Sequence, residues 1–178
     1  FLSLFTVSTA VAQRGKGLDV GSPAPGLNVE WVKGEFNPAK AEVYVIEFWA
    51  TWDAPCRTSI PHLTNLQEEY GEDGLTIVGI SIDENPDLVA PFVKRQGLKM
   101  GYAVGVDTRN RTQRTWMDAA GEKGVPSAFI VDSEGIIQHI GDPRKDNFDT
   151  ILVKVLSGRY NLKKQLEAEP SIDAAISY

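Results

Sequence analysis

Two short apolar runs dominate the hydropathy pattern of the chain, Val43–Trp49 (VYVIEFW) and residues 75–82 (LTIVGISI). Both are rich in β-branched and aromatic residues, so both are predicted as central strands buried on two faces. Between them, over Ala54–Tyr70, the period changes. Cys56, Ile60, Leu63, Gln67 and Tyr70 fall on one helical face with Leu66 beside it, and Gly71 closes the element. Pro61 lies inside that helix and is expected to kink it. Residues 27–33 alternate and predict a short leading strand. Residues 86–96 predict a helix with Leu88, Val89, Phe92 and Val93 inward, 102–107 a short strand, and 109–121 a helix ended by Gly121. Residues 127–132 and 136–141 flank a Glu-Gly turn as an antiparallel hairpin, and 147–156 form a closing helix. Strands alternating with helices and finishing in a hairpin predict an α/β fold around a mixed sheet.

The flanks break this pattern. An apolar run over residues 1–12 ends in Ala10-Val11-Ala12, the small-x-small signature of export-signal cleavage, and reads as a truncated export signal. Residues 13–25, rich in Gly, Pro and Ser, read as a linker, 26–158 as the domain, and 159–178 as a surface helix with a loose tail. Export places the protein in an extracytoplasmic or periplasmic compartment, and a membrane tether would come only from an uncleaved signal. The chain has 178 residues, 42% of them hydrophobic and 24% charged, which suits one soluble domain. Its net charge of −6 argues against nucleic acid or an anionic membrane as the main partner. In an oxidising compartment paired cysteines would become disulfides, yet the chain has one cysteine, Cys56, which is left free, capped or joined to another chain.

That cysteine sits in FWATWDAPCR, where a strand gives way to a helix. Asp53 is a favoured N-cap residue there. Pro55 has no N–H, so the Cys56 amide is the expected donor to the Asp53 carboxylate, a cap worth about 1 kcal/mol. Taken with VGISID, GVPSAFIVD and EGIIQHIGD, the stretch VIEFWATWDAPCRTSIPHL resembles the thioredoxin fold. In particular it is similar to the exported TlpA/ResA-like thiol–disulfide oxidoreductases of the redoxin (AhpC/TSA) group. The resemblance covers about residues 21–158, with 83–102 matching that subfamily's helical insertion.

The resemblance implies an active motif of Trp-Cys-x-Pro-Cys, in which the first sulfur attacks a substrate disulfide and the second resolves the mixed disulfide. Trp52, Pro55 and Cys56 fit it, but Asp53 occupies the attacking position, and a carboxylate cannot serve as that nucleophile. Dithiol reductase activity is therefore expected to be weak or lost. Glu47 falls where thioredoxins carry a buried carboxylate that accepts the resolving thiol's proton. Val125-Pro126 matches the family's cis-proline, whose preceding residue offers its backbone to an extended peptide or protein thiol/disulfide partner. Cys56, Asp53 and Glu47 are thus the candidate catalytic residues. Trp52, Pro55, Val125 and Pro126 are the candidate partner-binding ones.

A helix N-terminus favours a Cys56 thiolate by about 0.3–1 kcal/mol, whereas a carboxylate about 6 Å away opposes it by about 3 kcal/mol at an effective dielectric near 20. Cys56 is expected to rest as a thiol, with Asp53 as the main reason. A rival resemblance is to the peroxiredoxins, whose peroxidatic cysteine follows a Thr or Ser by three residues. Asp53 takes that position here, and the motif's upstream proline would fall on Trp49. A third reading is a non-catalytic peptide-binding module. Neither a cofactor motif nor a metal set is read: His62 and His139 are isolated and expected at the surface. Asn110-Arg111-Thr112 is a glycosylation sequon by letter only. Trp31, Trp49 and Trp116 are expected in the core, leaving Trp52 to contact a partner.

Overall fold

The computed structural model describes residues 17–159; the expected export signal and the C-terminal helix and tail lie outside the described residues. Six strands form one mixed sheet: β1 (Glu30–Lys33), β2 (Val43–Trp49), β3 (Leu75–Ser81), β4 (Ala103–Val106), β5 (Ser127–Val131) and β6 (Ile137–Gly141), in the order β1-β4-β3-β2-β5-β6. β2 is parallel to β3 and antiparallel to β5, and every one of its residues is buried. The pleat sends its side chains alternately to two cores. Val43, Val45 and Trp49 join Cys56, Ile60 and Leu63 of α1 (Ala54–Tyr70), Phe92 of α2 (Val89–Gln96) and Phe148 of α4 (Asp146–Leu156). Tyr44, Ile46 and Phe48 join Phe129, Trp116 and Met117 on the opposite face. The last two belong to a π turn, Arg114–Asp118, that continues the short helix α3 (Arg111–Gln113). This is the expected α/β arrangement.

Local chemistry explains where the elements stop. β4 pairs with β3 only from Val78 onward, which leaves the start of β3 without a strand on that side. The Gln67 side chain fills the gap: its Nε2 donates to Leu75 O at 2.9 Å and its Oε1 accepts from Ile77 N at 2.6 Å. α1 runs through Pro61 without a break. β1 begins at Glu30, later than the alternation suggested, because the Asn28 backbone bonds to the Thr112 hydroxyl instead.

The insertion departs from expectation at Leu88, which is 52% exposed. It closes a 3-10 turn, Pro86–Leu88, capped by Asn85, and the tighter period of that turn takes it off the inward face of Val89, Phe92 and Val93. The end of the expected linker is held to the domain. Leu18 N donates to Ala119 O at 2.8 Å, while Gly21 N and Ala24 N donate to Ile137 O and Gly135 O of the hairpin. Packing therefore starts several residues before position 26. Among the described residues no helix is long and apolar enough to cross a membrane.

Candidate active site

β2 ends at the centre of the sheet and α1 starts five residues later, so residues 50–53 form a turn over the carboxyl ends of β2 and β3, with Ala50 buried and Trp52 exposed. Asp83, buried just beyond β3, holds this turn. It accepts from Thr51 N at 3.0 Å and Thr51 Oγ1 at 2.5 Å, and from Ser81 Oγ at 2.7 Å. Sequence reasoning missed this clamp, although the spacing Ser81-x-Asp83 at a strand end is a local polar signal. Asp53 then caps α1 as expected: Cys56 N donates to Asp53 Oδ2 at 2.9 Å, and Pro55 occupies the first turn.

The sulfur lies beneath this cap. Cys56 is a free thiol with no exposed surface. Burial pushes its pKa far above the ordinary thiol value; the Asp53 side chain, through hydrogen bonding and charge, and the charge of Glu47 push the same way, against a backbone hydrogen bond from Ala50. The expected direction holds, but the order of causes does not: desolvation outweighs Asp53.

Glu47 is fully buried on the same face of β2. Ser59 Oγ donates to its Oε1 at 2.5 Å and Tyr102 OH to its Oε2 at 3.3 Å. Desolvation raises its pKa to about 8 despite the two donors, so the carboxyl is mostly protonated at neutral pH. Tyr102, buried in turn, is pushed well above the ordinary phenol value by desolvation and by Glu47. Glu47 pairs with Gly79 across the sheet, where a side chain would meet Trp49 Nε1 and the Tyr102 ring at 3.0 Å. Glycine is what lets the two rings close beside the carboxyl. Neither Ser59 nor Tyr102 was singled out from the sequence.

The Val125-Pro126 bond is cis. Ser127, the next residue, pairs with Phe48, so Val125 and Pro126 stand at the same end of the sheet as the 50–53 turn. Pro126 is buried and Val125 half-buried. A groove of about 430 Å3 runs between Val125 and Trp52, lined also by Ile82, Met117 and Glu122. Trp52 is 64% exposed, whereas Trp49 and Trp116 are core residues and Trp31 packs against the core.

The loop after β6 completes the surroundings. Asp142 pairs with Arg144 at 2.6 Å, and that guanidinium holds the Asp142 carboxyl below its ordinary range. Arg57 Nη2 donates to Thr51 O at 3.2 Å. Neither histidine reaches the site: His62 bonds to Asp149 at 2.9 Å, and His139 is half-buried edge-on to Phe148 rather than at the surface. Among the described residues no group of three or more acidic, histidine or cysteine side chains could hold a metal.

Comparison with known proteins places this geometry. A family model described as the AhpC/TSA family matches residues 20–140. Thiol-disulfide oxidoreductase ResA of Bacillus cereus (strain ATCC 10987 / NRS 248) is 28% identical over 156 residues, covering 85% of this chain and 87% of that protein. Thiol:disulfide interchange protein HelX of Rhodobacter capsulatus is 31% identical over 136 residues, covering 73% and 72%. A crystal structure of a thiol:disulfide interchange protein, a thioredoxin family protein from Chlorobium tepidum TLS, superposes with a TM-score of 0.64 at 31% identity, covering 76% of this chain and 97% of that one. The architecture is the thioredoxin fold.

Proposed function

This chain belongs to the AhpC/TSA family, and from that premise we propose that it is an exported ResA-like redox protein that keeps the partner-binding face while its dithiol reductase activity is weak or lost. The observation that carries the reading is the contrast at one turn. Asp53 caps α1 where the resemblance expects the attacking sulfur, and Cys56 is sealed beneath it as a protonated thiol. Trp52 and Val125, meanwhile, border an open groove. A buried thiol with a raised pKa is a poor nucleophile, because the thiolate is the reactive form. One sulfur also cannot resolve a mixed disulfide by internal closure.

In this reading an extended partner segment lies against the Val125 backbone and the Trp52 ring, with Pro55 in the first turn of α1 and the cis Pro126 setting the direction of the chain at either side. Glu47, held by Ser59 and Tyr102, is a proton store below the turn, retained from the dithiol mechanism. The monothiol peroxidase reading has less support. Arg57 is directed to Thr51 O and Arg144 to Asp142, so neither guanidinium is bonded to the sulfur. Export rests on the apolar run ending at Ala12, and sequencing of the secreted product is expected to give Gln13 as its first residue.

The test is peptide binding read by Trp52 fluorescence, run beside peroxide consumption. Wild type is expected to bind extended peptides and to consume no peroxide steadily, with Pro126→Thr weakening binding more than Cys56→Ser. Rapid peroxide turnover abolished by Cys56→Ser would replace this reading with the peroxidase.

A further inference from the structure

The groove beside Val125 does not end at Trp52. Trp52 and Ile82 also line a second depression of about 460 Å3, and Leu88 carries that one into a third of about 420 Å3, between Thr51 and α2. The three differ in charge. Among the described residues the groove at Val125 holds Asp118 and Glu122 against a single cation, Lys123. The middle depression has Asp83 and Glu84 and, among the described residues, no cation. The third reverses the sign, with Arg57 and Arg95 on its walls, no acidic residue in its lining among the described residues, and Leu88, Pro91 and Phe92 as an apolar floor.

Both arginines are exposed, and among the described residues each has one structural contact. Arg57 gives one N–H to Thr51 O, and the Arg95 guanidinium lies over the Phe92 ring at 6.0 Å from its centroid. A guanidinium carries five donors in a fixed plane, so each keeps donors for a carboxylate while its orientation is already restrained. In a chain of net charge −6 this is a local cationic hollow over hydrocarbon.

We propose that the depression between Thr51 and α2 is the subsite that takes an acidic side chain, Glu above all, carried on an otherwise apolar extended segment of a protein partner. The inference rests on the reading of this face as a partner-binding surface. The aliphatic stem of Glu covers Leu88 and Phe92, and its carboxylate reaches between Arg57 and Arg95. The acidic linings nearer Val125 disfavour a second acid there, so the position of the charge along the segment is selected as well as its sign.

The experiment is fluorescence polarisation with acetylated, amidated nonapeptides in which a single Glu, Gln or Lys is moved through a Ser-Leu-Val background. Binding is expected to be tightest for Glu at one end of the segment, with Gln there weaker by about 5- to 10-fold and the gap shrinking at high salt. Arg95→Glu is expected to invert the preference to Lys. Arg57→Gln is expected to narrow it, with circular dichroism reporting that both variants remain folded. Equal binding of Glu, Gln and Lys peptides overturns the inference and leaves the binding face standing. A requirement for a free C-terminal carboxylate overturns it in favour of chain-end capture. If no peptide binds at any charge, the inference and the proposed function fall together.

Discussion

Cys56 and Trp52 stand four residues apart and occupy opposite environments. Around Cys56 everything is closed: the thiol has no exposed surface, Glu47 is fully buried, and both groups have pKa values raised by desolvation toward their neutral forms. Around Trp52 the surface is open, with an exposed ring and grooves edged by Glu84, Asp118, Glu122 and Lys123, none of them buried. The same turn supplies both, because α1 begins between them and carries Cys56 inward on its first turn. Under the proposed function, recognition and chemistry are therefore separable. On that reading a change at the cap can remove one without deforming the other, since Asp53 supplies the hydrogen bond that holds the helix start.

The largest effect should come from returning a sulfur to the open side of the boundary. Asp53→Cys is expected to raise reduction of insulin disulfides by roughly two orders of magnitude or more, because an attacking thiol at the helix start gains a resolving partner in Cys56. Wild type and variant reducing insulin equally fast would show that the sealed site is already active and would erase the contrast.

Next in size is the pH dependence of stability written into the closed side. Glu47 has a folded pKa of about 8 against an ordinary 4.5, so the folded state binds its proton more tightly than the unfolded state. Stability from this group is full below about pH 4.5 and is lost as pH rises to about 8, by an amount on the order of 3–5 kcal/mol. Urea titrations between pH 5 and 8 should show Glu47→Gln losing less stability than wild type over that window. Parallel pH profiles would mean that the carboxyl is not buried as described.

On the open side, Trp52→Ala is expected to weaken binding of an extended peptide by about 10-fold while leaving the urea midpoint nearly unchanged, because an exposed ring contributes to a partner interface and little to the core. Unfolding at lower urea with unaltered binding would move Trp52 to the closed side of the comparison.

How far the sequence disclosed this division depends on the range of the interaction. The continuous runs at Val43 and Leu75, the change of period at Ala54 and the Glu-Gly turn specify strands, helix and hairpin locally, and α1 begins and ends where its cap and period place it. The cap itself was legible, since Asp53 and the proline at 55 leave the Cys56 amide as its donor. What escaped is set by groups distant in the chain. Tyr102 reaches Glu47 across 55 residues and Asp83 reaches Thr51 across 32, and no periodicity announces either. Leu88 was misplaced for a different reason. Its apolar character fits a helical face, but the 3-10 turn that carries it has another period.

The smallest expected effect tests why the closed side is closed. Charge reasoning from the sequence makes Asp53 the main brake on Cys56, whereas in the folded protein burial comes first, followed by the Asp53 hydrogen bond, with the charges of Glu47 and then Asp53 behind them. Asp53→Asn keeps a capping oxygen for the Cys56 amide and removes the negative charge, so the buried environment survives while the opposition from Asp53 is reduced. The thiol pKa should fall yet stay above the ordinary range. Alkylation by iodoacetamide at pH 8 should therefore quicken only a few-fold, to about 2–5 times the wild-type rate. Denaturant should accelerate the same reaction far more in both proteins, because unfolding removes the desolvation that the substitution leaves in place. If Asp53→Asn alone brought folded Cys56 to the rate of the unfolded chain, charge rather than burial would be holding the sulfur inert, and the boundary between the two regions would be electrostatic.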